Sequence, residues 1–205
     1  AGIDAFLDDY AHLANAYIQL YQATFDIEWL EQAKRIADFT ITHFKDKKSG
    51  MFYYTSDKAA SLIARKMEIS DNVMPASNSV MAHVLYKLGE YYYQQAYIDM
   101  SKTMLNQVSN DISDGGPYYA NWAMLMGLMT YKPYEIAIMG DDALEKNRDL
   151  QKAYMPTSFF MGGNEENLSL LEYKLIPGET LIYVCRDKTC KLPVRQVEDA
   201  LKQID

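Results

Sequence analysis

Four carboxylate residues stand where they could carry out acid–base chemistry. Asp8 and Asp9 come directly before an uncharged segment, and Glu68 and Asp71 come shortly before another. A glycosidase needs two carboxyl groups separated by roughly 5–10 Å. Asp9 is therefore the first candidate catalytic residue, with Asp71 or Glu68 as the second. The alternative is helix capping, in which a carboxylate in the first turn binds free N–H groups and complements the helix dipole.

Other polar and aromatic residues cluster near the starts of the uncharged segments and could bind a ligand. Arginine, amide and hydroxyl groups can hydrogen-bond to sugar hydroxyls, and aromatic rings can stack on a sugar ring. The same residues could instead brace a loop through ion pairs, cap helices or pack in a core. The candidate ligand-binding residues are Asp8, Tyr10, Arg65, Asn78, Ser79, Tyr118, Tyr119 and Trp122.

Histidines and cysteines are the remaining reactive side chains. His12 and His83 lie in uncharged segments, where a histidine could act as a general base because its pKa is close to neutral. Cys185 and Cys190 could close a short loop, bind a metal or stay reduced. Reduced thiols are the default in the cytoplasm, where we expect this chain to reside. Because two cysteines without a nearby histidine make a weak metal site, we predict neither a metal nor a cofactor.

Three helix-length segments with almost no charge would carry these side chains. They are 10–25, 75–89 with Lys87 as its only charge, and 117–130. A helix that is apolar on all sides must be buried, whereas the charged faces of 27–44 and 90–112 are typical of surface helices. This alternation predicts antiparallel helical hairpins with the uncharged helices inside, as in part of an α/α toroid. The polar starts of the inner helices would then gather at one end.

Strand-like segments interrupt this helical pattern. A hairpin of two strands, 51–55 and 61–67, is predicted between the helical segments 27–44 and 75–89. Beyond residue 132, strands are predicted at 134–140, 158–161 and 181–184, with helices at 141–154 and 195–204. Strand, helix and strand in this order predict a small parallel α/β unit. The predicted fold is therefore mainly α, with residues 1–132 as the second half of a toroid and 133–205 as an α/β appendage.

Composition and charge exclude several classes of function. The net charge of -8 and the absence of a basic stripe argue against binding of nucleic acid. No run of apolar residues approaches the ~20 needed to cross a bilayer, so no membrane association is predicted. The chain begins abruptly at Ala1 and is helical almost at once, so we expect it to be part of something longer.

Three motifs in order along the chain resemble a known family. Residues 6–11 are similar to its Leu-Asp/Glu-Asp-Tyr-Ala motif, and 183–194 to its tail of Cys-x4-Cys followed by Pro-Val. The middle match comprises Arg65, Glu68, Asp71, Pro75, Asn78 and Ser79, with Met67, Asn72 and Ala76-Ser77 departing from the family pattern. On these motifs the chain resembles the YyaL-like family of thioredoxin domain-containing proteins, which includes spermatogenesis-associated thioredoxin-like proteins of animals.

This resemblance implies a fold, partners and two alternative functions. The implied fold is that of N-acylglucosamine 2-epimerases and six-hairpin glycosidases. The implied partners are an N-terminal thioredoxin-like domain and the first half of the toroid. One function is binding, isomerising or hydrolysing a sugar at the starts of the inner helices, and the other is a non-catalytic scaffold or interaction module. Whether the complete protein is an enzyme stays open; we expect these 205 residues alone to be inactive and to self-associate through exposed apolar faces.

Overall fold

A computed structural model describes residues 5–59 and 64–204 of this chain. The chain divides into two compact units, one formed by Ala1–Ile18 with Glu28–Gly127 and the other by Gln19–Ile27 with Leu128–Asp205. The prediction of a mainly α protein with a small C-terminal α/β part is confirmed. The toroid and the domains 1–132 and 133–205 stay predictions.

Within the described residues of the first two-thirds of the chain there are five α-helices. Their bounds lie within a few residues of the predicted ones, except that α4 begins later and the third uncharged segment opens as a 3-10 helix, Gly116–Tyr119. The helices are α1 (Leu7–Thr24), α2 (Ile27–His43), α3 (Ser77–Tyr91), α4 (Gln95–Gly115) and α5 (Ala120–Tyr131).

The uncharged helices differ in how far they are buried. Every residue of α3 is buried except Lys87 and Glu90, as its uncharged sequence predicts. In α1, by contrast, Leu13 is 44% exposed, and in α5 Met124 is 67% exposed. The expectation that all three helices are wrapped on every side is therefore wrong for α1 and α5, since each buries only one face.

The segment before α3 is irregular where a hairpin was predicted. Residues 60–63 lie outside the described part of the chain, and 64–67 form no strand. In the other predicted strand, Phe52 forms an isolated antiparallel bridge to Lys45. The N–H of Tyr54 donates to the carbonyl of Lys66 at 2.8 Å, but no strand ladder continues from this bond. The physical reason is that the Asn78 side chain binds both the N–H and the C=O of Phe52. An amide side chain thus takes the place of a neighbouring strand.

The second unit contains a four-stranded sheet with two short helices. Its strand order is β2-β1-β3-β4. The elements are β1 (Tyr134–Met139), α6 (Ala143–Leu150), β2 (Ser158–Gly163), β3 (Leu181–Arg186), β4 (Thr189–Cys190) and α7 (Val197–Leu201). The β1-α6-β2 crossover is parallel as predicted, but β3 runs antiparallel to β1. The chain between β2 and β3 forms only a 3-10 helix, Ser169–Leu171, and lacks the α-helical crossover typical of parallel pairs.

One face of this sheet forms the apolar core of the second unit. Ile136, Ile138, Phe160, Ile182 and Val184 cluster there with residues of α6 and α7. Because side chains alternate along a strand, Glu135 and Cys185 lie on the opposite face. A disulfide joins Cys185 to Cys190, so the expectation of reduced thiols is wrong here.

Candidate functional site

Asp71 is the centre of a buried hydrogen-bond network in the helical unit. The residue is 6% exposed. Its Oδ1 accepts the N–H of Ala76 and the hydroxyl of Ser79, each at 2.9 Å. Its Oδ2 accepts the N–H of Asn121 at 2.8 Å. Since Ala76 caps α3 and Asn121 lies in the first turn of α5, one carboxylate joins the starts of two uncharged helices.

Three further contacts join the loop around Asp71 and the start of α3 to α5 and to the 3-10 helix before it. The N–H of Asp71 donates to the carbonyl of Tyr118 at 2.7 Å. Trp122 donates its indole N–H to the carbonyl of Ile69 at 2.8 Å. The Asn121 amide donates to Ser79 Oγ at 2.9 Å, which closes a ring of hydrogen bonds with Asp71. The structure therefore brings together four predicted site residues, namely Asp71, Ser79, Tyr118 and Trp122.

Glu68 and Asn78 hold the start of α3 from its other side. Oε2 of Glu68 accepts the N–H of Ser77 at 3.1 Å, which satisfies one of the free donors in the first turn of the helix. The Asn78 amide donates to the carbonyls of Glu68 and Phe52, each at 2.9 Å. Both side chains thus bind backbone groups of their own chain.

Asp8 and Asp9 begin α1 and differ in their surroundings. Oδ2 of Asp9 accepts the N–H of Phe6 at 2.9 Å, the reach-back contact of a capping box. Asp9 is otherwise exposed to solvent. Oδ2 of Asp8 accepts the hydroxyl of Tyr54 at 2.9 Å. Burial, followed by the negative charge of Asp8, raises the pKa of that tyrosine to about 12.

The remaining predicted ligand-binding residues make mainly packing contacts. The Arg65 guanidinium lies 4.2 Å from the ring centre of Tyr53 and donates to the carbonyl of Thr55. The Tyr10 ring packs against Phe39 and Phe44. Two adjacent aromatic residues diverge: the ring of Tyr119 lies against Gly115, whereas Tyr118 is 62% exposed.

A second group of polar side chains lies further along α1 and α3. Lys87 donates from Nζ to Oδ1 of Asn15 at 3.0 Å. Burial lowers the pKa of Lys87 to about 8. Among the described residues no carboxylate lies within ion-pair distance of its Nζ. The half-buried Lys87 ammonium therefore has donors left for another acceptor.

Two histidines lie one helical turn before the residues of this pair, His83 on α3 and His12 on α1. One turn before Lys87, His83 donates from Nε2 to the carbonyl of Asn121 at 2.8 Å, and burial lowers the pKa of its imidazole to about 4. One turn before Asn15, the Nε2 atom of His12 is buried without a hydrogen-bond partner. His12 and His83 were candidates in the sequence, whereas Asn15 and the role of Lys87 were missed. The available signal was Lys87 itself, since it is the only charge in 75–89.

The described ranges 5–59 and 64–204 contain neither a metal-binding group of side chains nor a helix that could span a membrane. They hold no group of three or more His, Cys, Asp or Glu side chains arranged to bind a metal ion. None of their helices combines the length and the apolar character needed to span a bilayer.

Fold and network together define a helical unit in which two uncharged helices, α3 and α5, begin at a shared carboxylate, and a small mixed α/β unit. No family model matches the chain. Over 202 residues it is 23% identical to human spermatogenesis-associated protein 20, an alignment covering 92% of this chain and 26% of that protein. The mouse and rat proteins of the same name are each 22% identical with the same coverage. The chain is thus a distant homologue spanning about a quarter of the length of these relatives.

Proposed function

We propose that the helical unit binds a small polyhydroxylated molecule, a sugar or sugar derivative, beside its uncharged helices. We also propose that the complete protein isomerises or hydrolyses that molecule. The observation that carries the proposal is the buried, unpartnered Nε2 of His12 together with the unpaired charge of Lys87. Buried polar groups without partners cost stability, so a native protein keeps them where a ligand or water completes their hydrogen bonds.

A sugar matches the chemistry of these groups. Each hydroxyl is both donor and acceptor, so one ligand can bind the Lys87 ammonium and the imidazole nitrogen of His12. Tyr118, which is mostly exposed, offers a ring face for stacking. Asp9 is the acid–base candidate because its carboxylate is exposed. Asp71 and Glu68 stay predicted catalytic partners, and their bonds to helix starts give them a positioning role as well.

The test is a ligand and activity screen of the complete protein. Aldoses, N-acyl sugars and oligosaccharides are tested by thermal shift, calorimetry and turnover, with Asp9→Asn as the catalytic variant. His12→Phe is the binding variant, and His43→Gln on the outer helix α2 is its matched control. We expect a sugar that stabilises the wild type and His43→Gln but not His12→Phe. Absence of binding and turnover across the panel, or equal binding by His12→Phe, would contradict the proposal.

A second candidate function is a non-catalytic scaffold or interaction module. It is favoured by the observation that Asp71, Glu68, Asn78 and Trp122 all bind groups of their own chain. Its proposed partners are the thioredoxin-like domain and the first half of the toroid, with self-association as a further proposal. It predicts that Asp9→Asn and Asp71→Asn lower stability without changing ligand binding. Calorimetric titration with the separately produced N-terminal part would reveal the association, and a tight sugar ligand would count against this function.

A further inference from the structure

The Cys185–Cys190 disulfide closes a very small ring at the edge of the sheet. The two residues are direct cross-strand partners in the β3–β4 hairpin, and only four residues separate them. Asp187 and Lys188 form the turn with φ values of 54° and 64°, the left-handed pair typical of a two-residue hairpin. Because the stabilisation by a disulfide grows with the logarithm of the loop that it closes, this one contributes less than a disulfide that closes a long loop.

The two sulfurs differ in access to solvent. Cys185 is 1% exposed and lies in β3, between β1 and β4. Cys190 is partly exposed and belongs to the edge strand β4. A thiol from solvent therefore meets the sulfur of Cys190 first, with Cys185 as the buried leaving group.

A buried carboxylate lies beside the leaving group. Glu135 is 3% exposed and is the direct cross-strand partner of Cys185 on β1, so both side chains stand on the same face. Its Oε2 accepts the N–H of Lys188 at 3.0 Å and so reaches the turn that links the two cysteines. Glutamate is rarely buried in a folded protein, and the strand register puts this one directly across from Cys185.

We propose that Cys185 and Cys190 form a thiol–disulfide exchange site for a small thiol of the glutathione type, with Glu135 as its proton acceptor and donor. A glutathione thiolate attacks Cys190 Sγ, the bond between Cys190 and Cys185 breaks, and Cys185 leaves with the electron pair and takes a proton from Glu135. A second glutathione then attacks the mixed disulfide. The products are oxidised glutathione and the Cys185–Cys190 dithiol, so two electrons and two protons pass from the thiols to the protein.

The reverse direction is the more informative one for Glu135. When the mixed disulfide on Cys190 closes, the Cys185 thiol must lose its proton as it attacks, and Glu135 accepts it. The surface around Cys190 also suits an anionic thiol, since Arg186, Lys188 and Lys191 are exposed on either side of it. This site is independent of the proposed sugar function, because none of its residues belongs to the helical unit.

The experiment follows closure of the mixed disulfide in the intact chain. The reduced protein is mixed with oxidised glutathione, quenched with acid at intervals and analysed by mass spectrometry. Glu135→Gln is the test variant, and Glu198→Gln on the exposed face of α7 is its control. General base catalysis typically raises a reaction rate about a hundredfold or more. We therefore expect the rate of closure at neutral pH to fall by about that factor in Glu135→Gln and to stay unchanged in Glu198→Gln. Cys185→Ser should accumulate the glutathione adduct on Cys190.

Several outcomes would overturn the proposal. They are reduction of the native disulfide only after unfolding, an adduct on Cys185 instead of Cys190, and wild-type closure rates in Glu135→Gln. If Glu135→Gln does not fold, the pH profile of the wild type decides. With an internal base, the closure rate rises by much less than tenfold per pH unit as the pH is raised from ~6 to neutral. Without such a base, the rate follows the ionisation of the Cys185 thiol and rises about tenfold per pH unit in this range.

Discussion

Replacing Asp71 by asparagine tests the most connected residue of the helical unit. The two side chains have the same shape, so the substitution changes hydrogen bonding and charge without opening a cavity. Asparagine can keep its oxygen towards Ala76 and Ser79, but its NH2 group would then face the N–H of Asn121, where Asp71 supplies an acceptor. Two donors would meet in a buried position.

The expected loss of stability follows from these bonds. A hydrogen bond to a charged group contributes roughly 1.5–3 kcal/mol, and a buried donor left without an acceptor costs roughly 1–3 kcal/mol. Loss of the bond to Asn121 and weakening of the other two therefore lower the free energy of unfolding by about 4 kcal/mol. Trp122 lies in the same network, so its fluorescence reports the transition together with circular dichroism in a urea titration.

Asp9→Asn is the matched control for this measurement. It changes the same functional group at the start of another uncharged helix, but Asp9 is exposed, and within the described part of the chain its side chain accepts a hydrogen bond from the N–H of Phe6 alone. A capping contact of this kind contributes about 1 kcal/mol. If Asp71→Asn loses no more stability than Asp9→Asn, then Asp71 does not join the starts of α3 and α5, and the reasoning is refuted.

Three further predictions concern other contacts. Burial lowers the folded-state pKa of His83 to about 4, whereas its ordinary value is 6.5. The neutral imidazole therefore contributes fully to stability above pH 6.5, and this contribution is lost as the pH falls from 6.5 to 4, because the unfolded state binds the proton first. In urea titrations between pH 6.5 and 4, the free energy of unfolding should fall by roughly 3 kcal/mol more for the wild type than for His83→Gln. An equal dependence of that free energy on pH in the two proteins would contradict this. Asn78→Ala leaves the N–H and C=O of Phe52 unpaired and should lower the free energy of unfolding by about 3 kcal/mol, and protection of the Phe52 amide from hydrogen exchange should fall with it; unchanged protection would refute the contact. Gly162→Ala should lower the melting temperature of the sheet unit, because the new Cβ would lie 1.9 Å from the carbonyl oxygen of Ile138, whereas a wild-type melting curve would argue against that close approach.

The helices could be predicted from the sequence because their signals are local. The near absence of charge in 75–89 indicated a helix buried on all sides, and every residue of α3 except Lys87 and Glu90 is buried. The segment 51–55 was misread because its run of aromatic residues after a turn is typical of a strand, while the partner of Phe52 is the side chain of Asn78, 26 residues away. Periodicity carries no information about such a side-chain partner.

The site could be predicted only in part, for a similar reason. Asp71 and Ser79 stand close together in the sequence and in one motif match, and both were candidate site residues. The third member, Asn121, lies 50 residues from Asp71 and carries no motif of its own. Glu135 and Cys185 meet only through the register of β1 and β3, which no local pattern specifies.

Lys87 shows how a local anomaly can point to function. The single charge in the segment 75–89 demands a partner, and among the described residues its Nζ is bonded to the Asn15 side chain and to no carboxylate. The proposed sugar completes the hydrogen bonds of this ammonium and of His12. This role for the interior of the helical unit is the central claim.

A crystal structure of the complete protein with the sugar that stabilises it most would test that claim directly. We predict electron density for the ligand within hydrogen-bond distance of His12 Nε2 and Lys87 Nζ, with a sugar ring against Tyr118. Density at another surface, or failure of every sugar in the panel to bind, would contradict it.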